Sequence, residues 1–233
     1  MIEVREREGL GYHKRDWLES RFHFSFAEYH NPERMGFGPL RVWNDDTIQP
    51  GTGFPMHPHR DMEIITYVRH GAVTHEDSLG NQGRTEAGDV QVMTAGTGIV
   101  HSEYNREAEG VTTLFQIWIE PAGADLSPGW QTRAFPAEAR GGRLTVLASG
   151  RGGDEGALPI NQDAALLGAT LEAGEVVVHE LGVGRRAYLV PARGAIRVNG
   201  TDVGELDGVA VWDEPRVTIE ARQAGEIVLV DLP

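Results

Sequence analysis

The chain contains no cysteine. That excludes a disulfide framework and thiolate metal ligands, so any metal site must use imidazole nitrogen and carboxylate oxygen. Cations are scarce as well: 21 Lys plus Arg against 35 Asp plus Glu give a formal net charge of −14. Gripping a phosphate backbone or an anionic membrane surface takes clustered cations, so neither nucleic acid nor membrane is an expected partner. The charge leaves room for a protein partner. No apolar run approaches the ~20 residues of a spanning helix. The opening Met1-Ile2-Glu3-Val4-Arg5-Glu6-Arg7-Glu8 interleaves charge and has no apolar core, so a signal peptide is not expected. The expectation is a soluble, cytoplasmic protein.

Sustained helical periodicity is also missing. Glycine (30 residues) and proline (12) instead punctuate short β-rich runs. In the first half these are Glu63–Arg69, Asp89–Met93 and Val111–Ile119. In the second half they are Glu175–His179, Arg186–Val190, Val209–Trp212 and Glu226–Val230. Such runs between closely spaced turn signals predict an all-β sandwich or barrel. A few short helices are expected, the best candidates being Trp17–Arg21 behind the cap candidate Asp16, and Gln162–Leu167. The halves echo each other. His70-Gly71-Ala72-Val73 resembles Arg193-Gly194-Ala195-Ile196, and Ala87-Gly88-Asp89-Val90-Gln91-Val92 resembles Asp207-Gly208-Val209-Ala210-Val211 at nearly the same offset. A duplicated β domain is the economical reading. The Gly/Pro-rich stretch between Pro121 and Gly142 is the natural linker, dividing the chain into 1–133 and 134–233.

Five of the nine histidines fall between residues 57 and 101. Side chains at i and i+2 of a strand share one face, so His57-Pro58-His59 can offer two imidazoles to one ion. His101-Ser102-Glu103 repeats the geometry with an imidazole and a carboxylate. A lone strand histidine is usually structural, but two such pairs on neighbouring strands supply four ligands and leave coordination positions open. Asp61 and Glu63 share the parity of His57 and His59, so parity alone leaves them as further carboxylate candidates. His13, His23, His30, His70 and His75 read as structural. Gln116 and Trp118 share a strand face, with ordinary core packing the simpler reading. The repeat offsets place no histidine on the matching ligand positions of the second half, where only His179 comes close, so that domain is expected to hold no metal.

These residues also carry a family resemblance. Gly51, His57, His59 and Glu63 are spaced like the first cupin motif, and Gly88, Gly98, His101 and Asn105 resemble the second. Thr94 stands where proline is usual, Gly71 falls one position late, and the second motif runs two residues long before Gly98. The segments Phe24-Ser25-Phe26-Ala27, Arg41-Val42-Trp43-Asn44-Asp45-Asp46, His57–Glu63, Gly96–Asn105 and Gln116-Ile117-Trp118-Ile119 resemble the pirin family. Val211-Trp212-Asp213-Glu214 and Asp231-Leu232-Pro233 resemble its bacterial quercetin 2,3-dioxygenase branch.

The resemblance implies two jelly-roll cupin barrels in one chain, a bicupin. Metal sits in the N-terminal domain (1–133) and none in the C-terminal one (134–233). It also implies His57, His59, His101 and Glu103 as the ligands, with Glu63 as the fallback carboxylate. The implied cofactor is one divalent ion, with iron(II) first and nickel, copper, cobalt, manganese or zinc as alternatives. The implied activity is O2-dependent opening of a flavonol-type ring with loss of carbon monoxide, Glu103 acting as general base. The alternative is a redox-responsive pirin that regulates a protein partner without catalysis.

Overall fold

The computed structural model describes residues 1–233, and nearly all of its regular structure is strand. All seven runs singled out in the sequence fall on strands. No helix is long and apolar enough to cross a membrane. The helices present are 3-10 turns at Arg7–Gly9, Pro32–Arg34 and Ala137–Arg140.

Both expected helices are corrected. Trp17–Arg21 lies in or beside the strand Leu18–Phe22, where Leu18, Ser20 and Phe22 are buried and Glu19 and Arg21 are not. That period-two pattern is satisfied by pairing with Leu40–Ile48. Gln162–Leu167 runs into the strand Ala165–Leu171, held between Thr145–Ser149 and Gly225–Leu232. Its Ala-Leu composition suits a helix, but burial on both faces of a central strand overrides that weak preference.

The chain forms two compact units. One comprises Gly11–Phe135 with Leu158–Gln162, and the other Met1–Leu10, Pro136–Ala157 and Asp163–Pro233. In the first barrel the large sheet runs in the order Gly129–Arg133, Val90–Thr94, Glu63–His70, Thr112–Ile119, Leu40–Ile48, Leu18–Phe22, Gly11–Lys14. The small sheet runs Gly53–His59, Ile99–Tyr104, Ala72–Asp77, Gln82–Glu86.

The second barrel repeats this plan. Its large sheet runs Ile2–Arg5, Gly208–Trp212, Arg186–Arg193, Gly225–Leu232, Ala165–Leu171, Thr145–Ser149. Its small sheet runs Val176–Glu180, Arg216–Ala221, Ile196–Val198, Thr201–Val203. Gly71 and Gly194 take the same left-handed turn in the two copies, at φ 74° and 77°. The edge strand Ile2–Arg5 pairs with Gly208–Trp212 in the register Val4↔Val209, so the first residues of the chain complete the barrel built by the last. The second barrel's interior is a single aliphatic cluster including Leu167, Leu189, Val209, Ile219 and Leu229.

Candidate metal centre in the first barrel

Strands Gly53–His59 and Ile99–Tyr104 are antiparallel neighbours, with His101 opposite His57 and Ile99 opposite His59. The ladder then breaks in a bulge, so that Glu103 faces Phe54. Gly53 permits this close approach, since a Cβ there would meet Glu103 O at 2.2 Å. The register gathers His57, His59 and His101 so that their ligating atoms lie within 4.8 Å of one another. Their ring centroids are 4.4 to 4.9 Å apart.

The hydrogen bonds set the tautomers. His57 Nδ1 lies 2.7 Å from the Pro55 carbonyl, which can only accept, so Nε2 carries the lone pair. His101 Nδ1 lies 3.4 Å from His75 Nδ1, and His75 Nε2 lies 3.0 Å from the Asp77 carboxylate. Burial would raise Asp77, but hydrogen bonds from His75 and Asn81 outweigh it and hold it ionised. His75 therefore donates to Asp77 and accepts from His101, leaving a lone pair on His101 Nε2. That atom is buried and has no hydrogen-bond partner. Burial, then the neighbouring His57, lowers His59 to about 4 and His101 to about 2, so both stay neutral. Two neutral imidazoles, one with an orphaned buried lone pair, and His57 beside them fit a divalent cation.

Glu103 is placed differently. Its carboxylate forms a close group with His101 and His75 rather than with all three histidines. It hangs over the large sheet, where Gln91 and Gln116 each donate at 2.6 Å and Thr66 at 3.1 Å. Those residues, with Asn44, form one rung across four strands: Asn44↔Gln116, Gln116↔Thr66, Thr66↔Gln91. Burial pushes Glu103 up to about 7 against these hydrogen bonds.

Neither alternative carboxylate joins the histidines. The strand ends at His59, and Asp61 turns at φ 47° to accept from Arg60 and the Asp125 amide. Glu63 is fully buried but accepts from Thr94 at 2.9 Å and Asn161 at 3.1 Å.

Two plain readings of the sequence change here. His75 reads as structural, yet it touches His101 and stacks on Trp130 with centroids 4.7 Å apart. The signal was available: His75-Glu76-Asp77 is a third i, i+2 pair, and Glu103 stands opposite His75 in the next strand. Gln116 and Trp118 read as packing, yet both line a cavity of about 620 Å³ that opens on the histidines. Trp118 meets His59 edge-on at 4.8 Å. Trp17, Phe22, Phe26, Tyr29 and Phe54 supply the aromatic walls.

Comparison with known proteins agrees with this architecture. The Pirin model matches residues 3–119, and the model of the quercetinase C-terminal cupin domain matches residues 146–232. A pirin-like protein of Caulobacter vibrioides is 54% identical over 99% of both chains. A quercetin 2,3-dioxygenase of Escherichia coli K12 is 42% identical over 100% of this chain and 99% of its own. The crystal structure of the bacterial pirin YhhW from Escherichia coli, in complex with nickel(II), superposes with a TM-score of 0.94 at 41% identity, covering 100% of this chain and 99% of that one. With the fold repeated in both halves and relatives matched end to end, the chain belongs to the pirin family, as a two-cupin member with a quercetinase-type C-terminal domain.

Proposed function

We propose that this protein is a metal-dependent dioxygenase that opens a flavonol-type enol with O2. His57, His59, His101 and Glu103 would hold one divalent ion. Iron(II) is the first choice, and nickel, copper, cobalt, manganese and zinc are chemically compatible with the nitrogen–oxygen donor set. The observation that carries the reading is the orphaned His101 Nε2, buried beside the imidazoles of His57 and His59 at the head of an aromatic cavity. The names of relatives matched along their full length, and the nickel(II) bound to a relative at 41% identity, support it.

When bound, the ion supplies the positive charge that lowers the pKa of an enolic hydroxyl and the redox chemistry that engages O2. The chain's own groups do the rest. The aromatic walls hold a planar ligand, and at about 620 Å³ the cavity lies within the usual ~300–1,000 Å³ of small-molecule sites. Glu103, the carboxylate beside the proposed ion, is placed to take the proton of an enolic hydroxyl. Gln91, Thr66 and Gln116 stabilise its charge once it has lost that proton.

The test is to load the purified protein with each metal in turn and follow quercetin loss and carbon monoxide release with and without O2. O2-dependent turnover with at least one metal is expected, together with a loss of about 10²–10⁴-fold in Glu103→Gln. Absence of turnover with every first-row metal sinks the activity. Full metal content and full turnover in His101→Ala sink the ligand assignment.

A further inference from the structure

The same cavity holds a polar cluster for which the histidine site has no use. Ser20, Asn44 and Asp46 lie on its large-sheet wall, with Ser20 opposite Asp46 in the ladder. Asp46 is 2% exposed and Asn44 4%, yet Asp46 Oδ1 and Asn44 Oδ1 have no hydrogen-bond partner. Burying such atoms unpaired is costly, and most buried polar groups avoid it. The neighbours show how unusual this is. On Asn44's own rung, Gln116, Thr66 and Gln91 are all engaged with Glu103. Asp45, next in the chain, is paired with Arg69.

No ion pair reaches Asp46. Burial raises it to about 7; Ser20 opposes this, while the charges of Asp45 and Glu103 add to it. It therefore keeps a proton well into the range where ordinary carboxyls have lost theirs. Within the cluster Asp46 lies farther from the histidines than Asn44, which stands opposite Gln116, a donor to Glu103. Trp118, which packs on His59, is four residues along its strand from Leu114, the partner of Asp46. At ~3.4 Å per residue this is about 14 Å.

We propose that Asn44 and Asp46, with Ser20 supporting Asp46, form a second polar anchor that takes a ring hydroxyl of an aromatic ligand whose metal-binding oxygen sits at the histidine end. The proposal rests on the small-molecule reading of the cavity given above, and it narrows the ligand class. A ring hydroxyl suits the pair, since it can donate to Asn44 Oδ1 and either accept from the protonated Asp46 carboxyl or donate to it once ionised, and the aromatic walls suit a planar ring. The preferred ligand is thus a hydroxylated polyphenol with polar groups at both ends, not an enol on an otherwise bare aromatic frame.

The test compares 3-hydroxyflavone, which has no further hydroxyl, with kaempferol and quercetin. Binding is read under argon by quenching of tryptophan fluorescence, in metal-free and nickel(II)-loaded protein. The wild type should bind the hydroxylated flavonols about tenfold more tightly than 3-hydroxyflavone in both metal states. Asp46→Leu should bring the ratio to within about twofold, and Asp46→Asn, which keeps an acceptor oxygen, should restore part of it. Equal affinities in the wild type, no binding of any of the three, or an equal loss for all three in Asp46→Leu would overturn the anchor. If nickel(II) tightens none of them, the metal-end reading fails by itself. The discrimination by Asp46 is still decided in the metal-free protein.

Discussion

The two barrels share one strand plan and differ in what fills them. In the first, one inner rung reads Asn44, Gln116, Thr66, Gln91, all amides or hydroxyls. The corresponding rung of the second reads Leu167, Leu229, Leu189, Val209. On the small sheets, His57 opposite His101 corresponds to Val177 opposite Ile219, and His59 opposite Ile99 to His179 opposite Val217. Ala221 takes the place of Glu103. One imidazole survives, and its environment has changed with it. His59 meets Trp118 edge-on, whereas His179 bonds at 2.8 Å to Asp231, the residue at the position of Trp118. Arg151 and Arg185 close on the same carboxylate, each at 2.7 Å. The fold tolerates either interior, but the energetics differ. Aliphatic rungs stabilise the second barrel by burial alone, while the first carries polar groups that need one another, or a ligand, to be satisfied.

The contrast predicts opposite responses to pH. The largest effect is expected at Asp231. Asp231→Ala leaves two arginines and a histidine without their shared partner, which should cost on the order of 3–5 kcal/mol in urea unfolding of the second barrel. Burial would raise Asp231, but hydrogen bonds from His179 and Arg185 and the charge of Arg185 hold it below the ordinary carboxylate range. Its contribution is therefore complete above the unfolded pKa and lost as pH falls through the lowered folded one. The variant should lack that acid-side loss. An unchanged acid limb would remove the ion network from the account.

Glu103 has the other sign. Its folded pKa in the metal-free protein is raised from 4.5 to about 7. The stabilising contribution is present below 4.5 and lost as pH rises through about 7. The loss is on the order of 3 kcal/mol. Melts of chelator-treated protein between about pH 5 and 8 should show it, and Glu103→Gln or an added divalent metal should abolish it. A flat profile in the metal-free wild type would place Glu103 in a more polar setting than the rung of glutamines and threonine implies.

The smallest effect is expected at His75, which touches a proposed ligand without being one. His75→Ala should weaken divalent-metal affinity by about 10–100-fold, measured by chelator competition, through loss of the tautomer of His101 that the Asp77–His75 pair sets. Unchanged affinity would return His75 to a packing role against Trp130.

Much of this was legible in the chain. Turn residues and β-rich runs placed the strands, because a half-buried strand writes its burial as alternation. The pairs His57/His59 and His101/Glu103 stood out because period two puts i and i+2 on one face. The failures have equally plain causes. Leu18–Phe22 is too short for its alternation to outweigh the cap-like Asp16, and Ala165–Leu171 is buried on both faces, so it has no alternation to read. Asn44, Thr66, Gln91, Gln116 and Asp46 are scattered over separate strands, and nothing local marks them as neighbours.

The sequence by itself determined the strand content, the duplicated plan and the two histidine-bearing segments, since each depends on residues close together in the chain. Only the tertiary structure decided which of three carboxylates lies near the histidines, that Glu103 rests on a polar rung, that His75 backs His101, and that Asp46 Oδ1 is buried without a hydrogen-bond partner. Those outcomes depend on register between strands far apart in sequence and on a single bulge after His101. A shift of one residue at that bulge would turn Glu103 to the other face, away from its polar rung.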